Sequence, residues 1–291
     1  MDPRQAACVK IAVWEKAESV LEKRCKGEVG MLFDMGLLAK QQRILITGAS
    51  RGIGRASALA LASRGHSLIL IARAQPALEQ VAAQIRATGG EARACSLDLT
   101  NPASIGATIA EILADGPIDV LVNNAGTCYQ CEFRNQSEAR LREEIELNYF
   151  GALHLIRALL PSFIERRAGA IVNVSSLLGT AAAPTTANFS GSKAALEAFS
   201  RGLRGELARF GIRVTVFVAP HTQTESGLRT DFRGVKSLPV EYVAAALVRA
   251  IDRTPACYAA SPVYRVLLRL AAWFPHWMER QMASSVQHLL R

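Results

Sequence analysis

The 291-residue chain has no run of eighteen apolar residues, so no transmembrane helix is expected. Residues 1–9 lack the long apolar stretch of a secretory leader, which points to the cytoplasm. There the six scattered cysteines are expected to be free thiols. Cys128 and Cys131 have the spacing of a redox or zinc pair, but no second pair follows, so no metal site is expected. A formal net charge of +9, from 34 Lys and Arg against 25 Asp and Glu, comes without a zinc-finger or aromatic RNA-binding motif. Nucleic acid is therefore not an expected partner. Tandem repeats and low-complexity segments are also missing. What the chain does have is a 50% hydrophobic content, which excludes disorder throughout, and enough length for one large α/β domain with extensions.

Residues 1–40 read as an N-terminal helical extension: residues 7–24 place Val9, Val13, Trp14, Ala17 and Leu21 near one helical face, and residues 27–36 are turn-rich. From there the rhythm alternates. Strands are expected at 44–47, 68–71, 91–96, 118–122, 170–174 and 213–218. Helices are expected at 52–64, 76–88, 101–113, 136–167, 188–210 and 239–251. Pro161 is expected to break or kink the fourth helix. Continuous apolar strands joined by helices predict a doubly wound α/β fold, a parallel Rossmann-like sheet covered on both faces, spanning residues 41–260. Residues 261–291 form an amphipathic tail in which Pro275 separates two helices and arginines alternate with Trp273, Phe274 and Trp277. Such a tail fits packing on the body, a partner interface, or peripheral membrane contact.

Thr47-Gly48-Ala49-Ser50-Arg51-Gly52-Ile53-Gly54 follows a strand and opens a helix. Its glycines allow a tight turn and close approach of backbone to a pyrophosphate, which the helix N-terminus attracts. With Asn123-Asn124-Ala125-Gly126 after the fourth strand and Asp98-Leu99 after the third, the chain resembles the classical short-chain dehydrogenase/reductases over about residues 43–220. The resemblance implies a dinucleotide held by Gly48, Ser50, Arg51, Gly52, Ile53, Gly54, Arg73, Asp98, Leu99, Asn124, Ala125, Gly126, Lys193 and Pro220. The second strand ends in Ala72-Arg73 rather than in a carboxylate that would bind the ribose hydroxyls. Arg51 and Arg73 suit a 2′-phosphate, so NADP(H) is the expected cofactor and reduction the expected direction.

The resemblance also implies a catalytic set of Asn, Ser, Tyr and Lys. This chain supplies Asn148, Ser176 and Lys193, but Phe189 stands four residues before the lysine, where the family has tyrosine. A phenyl ring keeps the volume and has no proton to donate. Three accounts fit: an altered form of a working reductase, a natural NADP(H)-binding protein with a silent site, or an enzyme using another acid. After the sixth strand Pro220 is followed by His221 rather than the family's glycine, and His221 fits either substrate contact or loop cover. Thr222 and Thr224 are both candidates to meet the nicotinamide carboxamide. Apolar residues in 127–133 and 177–184 point to a hydrophobic ketone, or its alcohol, as substrate. The family resemblance implies a homo-dimer or homo-tetramer.

Overall fold

The computed structural model describes residues 41–290, so the extension at 1–40 and its helix lie outside the described residues. Seven parallel strands form, five of them (all but β3 and β7) from short runs rich in β-branched and aliphatic residues: β1 Arg43–Thr47, β2 Ser67–Ala72, β3 Glu91–Ser96, β4 Val120–Asn123, β5 Gly169–Ser176, β6 Ile212–Ala219 and β7 Cys257–Ala259. Their order is β3-β2-β1-β4-β5-β6-β7. The chain therefore reverses direction across the sheet between β1 and β4, where parallel α/β folds open a crevice at the carboxyl ends of the strands.

The crossovers are α1 Gly52–Ala62, α2 Gln75–Ala87, α3 Pro102–Ala114, α4 Glu138–Ile145, α5 Gly151–Arg166, the short α6 Leu177–Thr180, α7 Ala187–Leu207, the short α8 Glu225–Leu228 and α9 Val240–Arg253. Side chains alternate across a strand, so the sheet sorts them onto two layers. Ile44, Ile46, Leu68 and Val172 pack with Leu61 of α1, Leu78 of α2 and Leu247 of α9. Leu45, Ile69, Ile171 and Val214 face the opposite way, onto Ile109 of α3, Leu159 and Phe163 of α5 and Leu203 of α7.

Two expectations change. Of the break or kink expected at Pro161, the break does not occur: α5 runs through it to Arg166. Proline removes the donor to the carbonyl of residue 157, and both Pro161 and Arg157 are exposed, so water can satisfy that oxygen. The expected 136–167 helix also changes character midway, with a π-helical segment at Glu146–Phe150. By length and composition the continuous stretch Glu138–Arg166 could cross a bilayer. Its Leu155, Ile156, Leu159 and Phe163 are instead buried against the sheet, as in a core helix.

The tail folds as α10 Pro262–Trp273 and α11 Pro275–Val286. Ala271, Met278, Met282 and Val286 join Ala181, Ala183 and Phe232 in a third apolar cluster. That cluster ties the tail to the two loops that follow β5 and β6.

Candidate active site

The phosphate loop is held open by its own backbone. Gly48 and Gly52 adopt φ of +65° and +55°, left-handed conformations that disfavour a side chain. A Cβ on Gly54 would lie 2.3 Å from the Gly48 carbonyl oxygen. Thr47 fixes the loop to the segment after β4: its Oγ1 accepts from the backbone N–H groups of Asn124 and Ala125, each at 3.0 Å. Asn124 Nδ2 donates to the Thr47 carbonyl at 2.9 Å. At the start of α1 no side chain caps the helix, so its first N–H groups face the position a diphosphate would take. Ser50 is half-buried in this turn. The loop thus fits the pyrophosphate of a dinucleotide.

The remaining predicted cofactor residues lie along the same edge. Arg51 and Arg73 are exposed and pair with carboxylates, Arg51 with Glu225 at 2.7 Å and Arg73 with Glu143 at 3.4 Å. Asp98 is exposed and turns one carboxylate oxygen to the Thr100 N–H (3.0 Å) and hydroxyl (2.8 Å). Leu99 is buried. A Cβ on Gly151 would come within 3.0 Å of the Leu99 side chain.

A cavity of about 200 Å³ continues from this loop, and Ile53, Asn124, Gly126, Ser176, Phe189, Lys193 and Pro220 all line it. Ser176 sits at the end of β5, where its Oγ accepts from the Leu178 N–H at 3.2 Å, leaving its own proton to be donated. Lys193 is 5% exposed, and its Nζ donates to the Val174 carbonyl at 2.9 Å. Burial pushes its ammonium down to about 8, with Cys128 and Glu197 opposing the shift. The Phe189 ring lies one helical turn away, its centroid 5.8 Å from Nζ. A Cβ on Gly126 would lie 3.0 Å from Asn148 Oδ1 and 3.3 Å from Lys193 Nζ, so glycine there keeps the approach to both open.

Asn148 stands apart from the cavity. It is buried in the π-helical segment, accepts from the Thr127 N–H at 2.8 Å, and donates to the Thr127 carbonyl (2.9 Å) and Ser192 Oγ (3.0 Å). Ser175, the neighbour of Ser176, donates to buried Glu197 at 2.6 Å and serves the framework.

His221 lines the cavity and is also tied to its own loop. Its Nε2 lies 3.0 Å from the Gly227 carbonyl, which can only accept, so Nε2 carries a proton and donates it there. With its N–H occupied, His221 is a poor acid. His221→Ala is expected to leave residual turnover unchanged; a loss of about tenfold or more in steady-state assays would make it a proton donor. Thr222 and Thr224 both reach the cavity, Thr222 donating to the Pro220 carbonyl and Thr224 accepting from the Gly227 N–H.

Several supports are silent in the sequence pattern. Gln130 bridges the loops, donating to Thr185 Oγ1 and the Asp231 carbonyl, both at 3.2 Å, and accepting from the Asp231 N–H at 2.6 Å. Fully buried Glu144 accepts from the Tyr129 N–H, Gln136 and Asn188. The Cys128 thiol lines the cavity, pushed up to about 12 by burial, and Cys131 is also a free thiol. Among the described residues no cluster of metal-ligating side chains forms.

A phosphate-binding turn at the switch point of a parallel sheet, leading into a cavity that holds a serine and a buried lysine, is the architecture of a nucleotide-dependent oxidoreductase. Residues 42–231 match the short chain dehydrogenase family, and the chain belongs to it. It is 37% identical over 191 residues to a ketoacyl reductase of Nostoc sp., an alignment covering 65% of this chain and 66% of that protein. It is 34% identical to a fatty acyl-CoA reductase of Acinetobacter baylyi, over 83% of this chain and 78% of that one. Among solved structures, a short-chain dehydrogenase from Streptomyces avermitilis superposes with a TM-score of 0.72 at 33% identity, covering 82% of this chain and 97% of that one. One from Sphingobium yanoikuyae, in complex with NADPH, gives 0.70 at 31%, covering 81% and 93%. The seven-stranded parallel sheet and the oxidoreductase scaffold agree with the family, whose members bind NAD(P).

Proposed function

We propose that the chain is an NADP(H)-binding carbonyl reductase scaffold for an apolar ketone, with turnover held down by Phe189. The observation that carries this reading is the convergence of Ser176, Lys193 and the Phe189 ring on one cavity that opens from the phosphate loop. When bound, the nicotinamide supplies hydride to a carbonyl carbon. The Ser176 hydroxyl would hold the carbonyl oxygen. Lys193 would hold the nicotinamide ribose through its ammonium, and Asn148 would brace the Thr127 backbone beside it. None of these supplies the proton that the family's phenol gives to the growing alkoxide.

The substrate reading rests on the lining, where Leu177, Leu178, Phe232, Val235, Tyr264 and Met282 form an apolar wall and no carboxylate or arginine faces the cavity. The acyl chains in the names of the two relatives favour an apolar substrate, and the ketoacyl group of the first is itself a ketone. A second reading, a silent NADP(H)-binding subunit, is favoured by Phe189 itself.

Selectivity for NADP(H) is assigned to Arg51 and Arg73. Glu225 and Glu143 now hold these guanidinium groups, and a 2′-phosphate would compete for the same donors. Calorimetric titration is expected to show NADPH binding more tightly than NADH. Arg51→Ala should weaken NADPH by about tenfold and leave NADH unchanged, since one charge-assisted bond is lost. Equal affinity for the two cofactors would overturn the assignment.

A further inference from the structure

The outer face of the tail is unlike the rest of the surface. Residues 272–277 are exposed without interruption, and they include Trp273 (79% exposed), Phe274 (55%) and Trp277 (47%) at the corner between α10 and α11. Val266 (55% exposed), Arg269 and Trp273 lie at helical spacing on one side of α10. Arg280 follows Trp277 by one turn on α11, and Arg265 is exposed beside Val266. The opposite sides of both helices are buried through Tyr264, Ala271, Met278 and Met282. The aromatic corner therefore points away from the body, with its inner side already packed.

We infer that this face docks on an anionic lipid surface, with Trp273, Phe274 and Trp277 entering the headgroup region and Arg265, Arg269 and Arg280 facing lipid phosphates. Tryptophan suits that depth because its ring is apolar and its N–H finds polar partners. Charge selects the occupant. Residues 262–290 contain three arginines and one carboxylate, Glu279, which sits 3.3 Å from His276. A second copy of the chain on this face would oppose arginine to arginine, whereas an anionic bilayer complements them. The same two helices line the cavity through Tyr264 and Met282, so a docked chain holds its cavity wall close to the lipid. This inference does not depend on the reaction.

The test is co-sedimentation of the full chain with phosphatidylcholine vesicles, with and without phosphatidylglycerol, at low and high salt. The chain is expected to pellet with the anionic vesicles at low salt and to be released by salt. Trp273→Ala with Trp277→Ala should weaken the partition by about tenfold, and Arg265→Gln with Arg269→Gln by a similar factor. Far-UV circular dichroism and a thermal melt report that each variant is folded. Failure to pellet with anionic vesicles at low salt overturns the inference, as does undiminished pelleting of both folded variants. Loss of a wild-type dimer in the Trp variant, without vesicle binding by the wild type, would assign the face to a second copy and also overturn it.

Discussion

Phe189→Tyr is expected to raise NADPH-dependent turnover of an apolar ketone by about 10²–10⁴-fold, the usual range for a positioned general acid. The substitution adds one hydroxyl to a ring that is half-buried and borders a cavity, so no neighbour in a filled core has to move. The residue that would tune the new phenol is already present: Lys193 lies one turn along α7, its Nζ 5.8 Å from the ring centroid. A nearby ammonium favours phenolate and brings the phenol pKa down towards working pH. Because the proton moves only as charge builds on the carbonyl oxygen, the gain should fall on kcat and leave KM nearly unchanged. Steady-state NADPH oxidation by the two chains, with a ketone whose binding to both is measured separately, decides the matter. Equal turnover with a bound ketone would leave the silent-subunit reading standing.

That experiment rests on residues legible in the sequence. Gly48, Gly52 and Gly54 announce themselves because only glycine serves a turn with positive φ and a 2.3 Å approach of Cβ to backbone. Lys193 and position 189 are read together because four residues make one helical turn. The apolar strands β1, β2, β4, β5 and β6 are equally plain, each buried on both faces or nearly so, whereas β3 is largely half-buried or exposed.

What stayed hidden depends on contacts between distant segments. The three-residue strand β7, Cys257–Ala259, has little apolar signal of its own and forms because Val216, Phe217 and Val218 of β6 offer it an edge. Glu143 and Glu225 meet Arg73 and Arg51 from 70 and 174 residues away. Gln130 reaches Asp231 across 101 residues. No local spacing encodes such pairs. The tail was legible as two amphipathic helices split at Pro275, but Met282 reaching the cavity follows only from how the tail packs on Phe232 and Ala183.

Lys193 carries the clearest conflict between stability and function. Burial holds its pKa near 8, against 10.5 for the ordinary side chain. Below pH 8 the lysine is charged in both folded and unfolded chains, and the folded chain bears the full desolvation penalty, at most about 3 kcal/mol. Between pH 8 and 10.5 the unfolded chain binds more protons than the folded one, so wild-type stability rises with pH relative to a chain lacking the lysine. Above that window both forms are neutral and the penalty is gone. Lys193→Met should therefore stabilise the chain at neutral pH, by no more than about 1 kcal/mol once the charged hydrogen bond to the Val174 carbonyl, worth about 2 kcal/mol, is lost. Denaturant titrations across pH should show this advantage shrinking from pH 8 upward; a constant difference would mean that burial does not depress the lysine. In the Phe189→Tyr background the same substitution should remove most of the restored turnover, on the order of 10²-fold, because the phenol loses the cation that lowers its pKa. A protein selected for stability alone would discard this lysine. A buried lysine lining the same cavity as Ser176 is the feature a silent structural subunit has least reason to keep.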